Sequence, residues 1–373
     1  MLLAAKKFVL KCKDTANKRK NAIFCKKSFQ IRKKRVSLHR KIIPIILIFI
    51  YLTPSKQYEI YNESCYGLSH LADNSIHALA TDPPYGISYQ NNYWDKDLPD
   101  KQIWADCLRV MKPGAFGGVF SSVRLMHRLM VDLEDSGFLI KDVIFWTYLN
   151  GMPKSRNIAL NIDKELGVES EVVGNYDYVQ GYKKGGAETY SARAKKPRLE
   201  PNSPLAIEYK GAGLGIKPAY EPIILVQKPL EKGLNIAQNI IKHGTGALNL
   251  EETRIPYAKG EGKVGHNPHP VGRVPSNIIR TEELNDGYDK FFLVPKVRQA
   301  ADSFNNHPTI KPVELMHHLI KLLSFENQII LDPFMGSAST GVASLKSNRR
   351  FVGFERDAHY FEICKKRLEK QIK

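Results

Sequence analysis

Two short stretches of this 373-residue chain carry the residue types that a ligand site needs. The first, Thr81-Asp82-Pro83-Pro84-Tyr85-Gly86-Ile87, follows the apolar run Ile76-His77-Ala78-Leu79-Ala80. Such a run reads as a strand buried in a parallel sheet. Two consecutive prolines forbid both helix and ladder continuation, so the backbone must leave the strand in a fixed, extended form. A carboxylate, a rigid turn and an aromatic ring are thus presented together at the carboxyl end of a strand, where open α/β sheets bind ligands. Asp-Pro-Pro-Tyr on its own recurs by chance in many chains, so the rest of the sequence decides what it does.

The second stretch is Asp332-Pro333-Phe334-Met335-Gly336-Ser337-Ala338-Ser339-Thr340-Gly341, which follows the apolar strand Gln328-Ile329-Ile330-Leu331. Its small residues let a backbone approach a ligand closely. A helix to about Asn348 and a strand 350–354 ending at Glu355 complete the unit. Strand, small-residue turn, helix and a second strand ending in an acid place a carboxylate within reach of ribose hydroxyls, the layout of a nucleoside-type cofactor site. This strand end lacks G-x-G-x-x-G, which argues against nicotinamide dinucleotides, and it lacks the P-loop signature.

The elements that must position these stretches alternate. Strands are expected at 58–61, 76–81, 115–120, 143–148, 328–331 and 350–354, with a helical turn at 65–71. Helices are expected at 100–111, stopped by Lys112-Pro113-Gly114, at 124–135, at 312–323 and from Asp357 onward. Repeated strand–helix alternation predicts a mostly parallel sheet with helices on both faces. Between about 150 and 306 the texture changes to Gly, Pro, Lys and Tyr, with strong periodicity only in pieces such as Pro222-Ile223-Ile224-Leu225-Val226. There Lys183, Lys184, Arg193, Lys195, Lys196, Arg198, Lys210 and Lys217 are interleaved with Tyr182, Tyr190, Tyr209 and Tyr220. Cations that meet phosphates and rings that stack on bases make this a candidate nucleic-acid surface, although an exposed basic loop would look similar.

The formal charge of +18 is concentrated at the front: residues 1–55 hold 15 Lys/Arg against Asp14 alone. This segment ends in the eleven apolar residues of 42–52, too few to span a bilayer and too late for a signal peptide. A basic DNA-binding arm, a membrane-surface anchor and an extension translated upstream of the natural start all account for it. The last is preferred, because globular text begins only near Lys56, and 1–55 is read as disordered or not native. The five cysteines (Cys12, Cys25, Cys65, Cys107, Cys364) form no C-x-x-C pair, which argues against a zinc ribbon and fits a reducing cytoplasm. His266 and His269 have no nearby cysteine, and no metal site is expected.

Taken together, the two strand ends resemble the amino-group DNA methyltransferases that use S-adenosylmethionine. Asp82-Pro83-Pro84-Tyr85 matches that family's catalytic motif and Asp332-Pro333-Phe334-Met335-Gly336-Ser337 its cofactor motif. Asn306-His307-Pro308-Thr309-Ile310-Lys311-Pro312 is similar to the stretch that precedes the cofactor motif. Catalytic motif first, variable region next and cofactor motif last is the permuted order of the β class, and the resemblance covers about 57–370. It implies an α/β, Rossmann-like methyltransferase sheet with a loop-rich target-recognition insertion. The expected layout is a catalytic half at 56–150, the recognition insertion at 151–306 and a cofactor half at 307–373.

By resemblance, Asp82 and the Pro83 carbonyl accept the two hydrogens of an exocyclic amino group, Pro84 holds the turn, and Tyr85 stacks on the flipped base. Glu355 holds the cofactor ribose. Asp332, Phe334, Gly336 and Ser337 surround the rest of the cofactor, and His307, Thr309 and Lys311 close that pocket. Lys183, Lys184, Arg193, Lys195, Lys196 and Arg198 are the candidate DNA contacts. The implied reaction is methyl transfer to adenine N6 in site-specific double-stranded DNA. N4-cytosine transfer and a decayed DNA-binding homologue are the alternatives, and RNA-base or protein-amide transfer is disfavoured by motif order. Cytosine-C5 chemistry is excluded, because the chain has no Pro-Cys dipeptide. Implied partners are DNA, a second copy of the chain and a cognate restriction endonuclease, with no membrane. One departure is Ala338, where the family commonly has glycine: a left-handed backbone there would strain an alanine by about 1 kcal/mol or more.

Overall fold

Strands that are apolar on both faces are stable only when helices cover each side of their sheet. The computed structural model describes residues 56–89, 92–148, 157–179, 193–216, 218–257, 269–280, 292–293 and 304–372. The expectation for 1–55 falls outside them. The elements run β1 (Tyr58–Tyr61), β2 (Ile76–Thr81), α1 (Lys101–Val110), β3 (Met111–Phe120), α2 (Met126–Asp135), β4 (Leu139–Thr147), α3 (Ile158–Glu165), β5 (Glu171–Val179) and β6 (Arg193–Glu200). They continue α4 (Pro204–Glu208), β7 (Tyr220–Gln227), α5 (Ile236–His243), β8 (Ile278–Arg280), β9 (Phe292–Leu293), α6 (Val313–Leu323), β10 (Ile329–Asp332), α7 (Ser339–Lys346), β11 (Arg350–Phe354) and α8 (Ala358–Glu369).

One sheet takes the order β1-β11-β10-β2-β3-β7-β4-β8-β9, and β5 pairs β6 in a separate hairpin. The sheet is parallel except at β7, which is antiparallel to both β3 and β4. Alternation along β7 shows why helices are needed on both faces. Ile223 and Leu225 enter a core layer with Leu315, Leu319 and Ile320 of α6. Ile224 and Val226 enter the opposite layer with Trp104 and Cys107 of α1 and Leu129 and Leu133 of α2. Each such side chain, fully buried, contributes about 1.5–3 kcal/mol.

Two expectations are corrected. The 65–71 segment is a run of turns rather than a helical turn, because Gly67 (φ 76°) and Leu68 (φ 39°) take left-handed backbone. The strand expected at 115–120 begins at Met111: Lys112-Pro113-Gly114 ends α1, but its excess residues are absorbed by a register shift against β2, between the pairs Ile76↔Met111 and Ala78↔Phe116. The apolar piece at 222–226 lies in β7, inside the central sheet.

From β10 the chain moves through α7 to β11 on one side, whereas β3 lies on the other side of β2. The crevice outside the carboxyl ends of β10 and β2 is therefore the switch point where open α/β sheets bind ligands. Both motifs end there. Among the described residues no helix is long and apolar enough to cross a membrane.

Candidate active site

The turn after β2 is tied down by an acid the sequence did not flag. Asp95, 2% exposed, accepts from the Tyr85 amide at 2.5 Å, the Gly86 amide at 3.2 Å and the Tyr89 amide at 2.7 Å. Gly86 has φ 69°, and a Cβ there would lie 3.0 Å from the Leu98 nitrogen, so the turn requires glycine. Asp82 emerges from this turn with both oxygens engaged. Oδ1 accepts from the Tyr85 hydroxyl at 2.7 Å, and Oδ2 accepts from Lys311 Nζ. Lys311 was expected to help close the cofactor pocket; in the fold its ammonium donates to Asp82. Its Nζ also lies 3.6 Å from Glu221 Oε2 and over the rings of Phe120 (5.0 Å) and Tyr85 (5.6 Å).

Burial works against the Lys311 charge, but Asp82 and Glu221 outweigh it and hold the ammonium above the usual lysine range. Burial pushes the Asp82 carboxyl up, against the pull of Lys311 and Tyr85 and with the help of Glu221. One ammonium thus lies between two carboxyl groups. Burial, with Asp82 next in effect, keeps Tyr85 a neutral phenol, and burial with Glu221 pushes Tyr148 up to about 12. Glu221 belongs to the inserted strand, whose antiparallel course brings its N-terminal end to the edge where its neighbours end. The only sequence signal for it was an acid directly before the apolar run at 222–226.

Across the crevice, Asp332 is 2% exposed and turned inward. Its Oδ1 accepts from the Thr81 hydroxyl at 2.7 Å and the Phe334 amide at 3.1 Å, and its Oδ2 from the Thr340 hydroxyl at 2.6 Å. This carboxyl, pushed by burial to about 6, clamps the ends of β2 and β10 to the start of α7. Glu355 holds the neighbouring loop. Its Oε2 accepts from the Gly336 amide and its Oε1 from the Asp357 amide, each at 2.9 Å. Burial pushes its carboxyl up to about 7. His307 lies edge-on to Tyr360 at 4.5 Å, and its Nδ1 accepts from the Thr309 amide at 3.3 Å. Ser337 is buried and bonded by Arg367 through its carbonyl, and Phe334 packs toward Trp104 at 6.1 Å.

Gly336 has φ 54°, and a Cβ on it would come 2.9 Å from His307 Nε2. The cradle is this turn lying against the His307 ring, an approach that only a glycine permits. With the part-exposed acid Glu355 at its rim, it matches what a nucleoside cofactor requires.

Ala338 does take the left-handed conformation, with φ 59° and ψ 38°. The strain of about 1–2 kcal/mol is set against about 0.8 kcal/mol for its buried methyl and about 0.4–1 kcal/mol of lower unfolded-chain entropy. Ala338→Gly is therefore expected to change stability by less than about 1 kcal/mol, under about 3 °C in Tm. A thermal scan showing a rise several times larger would mean that the strain dominates.

Of the candidate DNA contacts, Lys195, Lys196 and Arg198 are exposed on β6, away from the crevice motifs in sequence and in sheet. Lys183 and Lys184 lie outside the described residues, as does the side chain of Arg193.

The sequence signature of the DNA methylase family matches residues 76–366. The Type II methyltransferase M.HindIII of Haemophilus influenzae is 27% identical over 351 residues, 83% of this chain and 94% of that protein. The DNA adenine methyltransferase YhdJ of Escherichia coli is 30% identical over 151 residues, covering 40% of this chain and 45% of its own length. Among solved structures, the M1.HpyAVI–SAM complex matches with a TM-score of 0.43 at 20% identity, over 83% of this chain and 98% of that one.

Proposed function

The chain belongs to the DNA methylase family, and from that premise we propose that it transfers a methyl group from S-adenosylmethionine to adenine N6 at a specific site in double-stranded DNA. The observation that carries the reading is the placement of Asp82 and the Gly336–Glu355 cradle on either side of one switch-point crevice. An exocyclic amino nitrogen is a poor nucleophile while its lone pair is delocalised into the ring. Asp82 and the Pro83 carbonyl, accepting its two hydrogens, favour a pyramidal nitrogen with a freer lone pair. Negative charge beside the nitrogen also offsets the positive charge it gains on attack. Tyr85 offers a ring for the flipped base to stack on.

Bound at the cradle, S-adenosylmethionine supplies a methyl group activated by a sulfonium. Glu355 would hold its ribose, with Gly336, Phe334 and His307 lining the approach. Asp332, only 2% exposed where Glu355 is half-buried, acts in this reading as the clamp that positions the two strand ends. The exposed cations of β6 are the DNA contacts, and adenine is supported by the Escherichia coli relative, a DNA adenine methyltransferase, and by Asp at the first motif position. The same reading includes a cytoplasmic restriction–modification setting with a cognate endonuclease, and a homodimer.

The test is incubation with unmethylated DNA and S-adenosylmethionine, followed by nucleoside mass spectrometry. N6-methyladenine is expected. N4-methylcytosine would overturn the base assignment, and no modified base would overturn the activity. Glu355 supplies a separate check. Ribose hydroxyls donate to the ionised carboxylate, so protonation competes with binding and affinity rises as pH passes upward through about 7. Cofactor Kd is expected to fall about tenfold between pH 6 and 8 in the native protein and to stay flat in Glu355→Gln. A slope shared by both proteins would belong to the ligand.

A further inference from the structure

We propose that Glu221 is a positioning residue: it is the second seat of the Lys311 ammonium, taken when the amino group of a target base claims Asp82. This rests on the reading of the chain as a DNA methyltransferase.

Both oxygens of Asp82 already accept a hydrogen bond in this arrangement, Oδ1 from Tyr85 and Oδ2 from Lys311. A weak amino N–H donor would have to share an oxygen with a full positive charge, which is the stronger donor by far. Moving Lys311 off Asp82 leaves the full acceptor strength of that oxygen to the base. Lys311 cannot simply be released, because its side chain is only 10% exposed and lies against the rings of Phe120 and Tyr85. An ammonium left unpaired in such a place costs several kcal/mol.

Glu221 Oε2 removes that obstacle. At 3.6 Å from Nζ it lies just beyond a normal hydrogen bond, so a turn about the last lysine torsions closes the contact. The ammonium then stays paired throughout, and Asp82 faces the base as an undivided carboxylate. The seat exists because β7 runs against its neighbours. Glu221 pairs in register with Trp146, next to the ends of β3 and β4, and the Pro222 carbonyl accepts from the Ser121 amide at 3.0 Å.

Single-turnover methyl-transfer rates on DNA would be compared for the native protein, Glu221→Gln and the double variant Glu221→Gln/Lys311→Met, with Tm and cofactor Kd read on each. Glu221→Gln is expected to be slowed at least tenfold, with cofactor Kd within twofold of native, because Lys311 is then held on Asp82. Removing the ammonium as well is expected to recover most of that loss, which a merely structural Glu221 would not allow. A native rate in Glu221→Gln, or a double variant no faster than the single one, overturns the proposal while leaving the methyltransferase reading intact. A native protein without any transfer removes that reading, and the proposal with it. Should Glu221→Gln fail to fold, Glu221→Ser makes the same comparison.

Discussion

Asp82→Ala is expected to lower the methyl-transfer rate by about 10²–10³-fold, the usual effect of removing one preorganised partner of the reacting group. The fold should survive. Asp82 accepts only from side chains, the Tyr85 hydroxyl and the Lys311 ammonium, and the turn itself hangs on Asp95. Lys311 keeps a carboxylate within 3.6 Å in Glu221, so no ammonium is stranded. Cofactor and DNA affinities are accordingly expected within about threefold of native, since the cradle and the exposed cations are untouched. Single-turnover kinetics with calorimetric binding check both halves. A variant that keeps its rate would remove Asp82 from the chemistry. A native protein that binds DNA yet never turns over would make the chain a binder.

Gly336→Ala should act on the other side of the crevice, and through binding. The new Cβ would lie 2.9 Å from His307 Nε2 on a backbone with φ 54°, so strain and collision fall on the same atom. Left-handed backbone costs an alanine about 1–2 kcal/mol. The loop can shed that strain only by shifting, which pulls the amide off Glu355 and closes the cradle. Cofactor Kd is expected to rise about 10- to 100-fold, with a smaller change in Tm, as isothermal titration and thermal unfolding would report. Ala338, two residues on with a similar φ of 59°, is the natural control: its methyl group points into a buried apolar layer instead of into the cradle. Unchanged affinity in Gly336→Ala would place the cofactor elsewhere.

What could be read from the sequence was local. Pro83-Pro84 and the small residues of 332–341 advertise strand ends because proline and glycine act on their own backbone. Regular spacing announced α1, α2 and α6 for the same reason. Contacts set by topology were not readable. Lys311 looked like part of the cofactor pocket because it precedes the cofactor motif, yet α6 starts beside Asp82 across the sheet. Asp95 sits in a short turn whose role depends on three amides facing it. Glu221 was hidden because nothing in a strand's residues tells whether it runs with its neighbours or against them. That single reversal decides which of its ends meets the site. Asp332 matched its motif, but only the structure shows Thr81 and Thr340 taking up its oxygens.

The pairing of β4 with β7 has a consequence for how such a chain can change. Thr147, where β4 ends, and Tyr220, where β7 starts, are partners on one rung of the ladder. Everything from the end of one to the beginning of the other, including the basic hairpin of β5 and β6, leaves and re-enters the sheet through a gap of about 5 Å. A segment with its ends so close can be lengthened, shortened or replaced as a cassette while the rung at its base is kept. Natural variation in that segment, and engineering of it, would cut at the same rung.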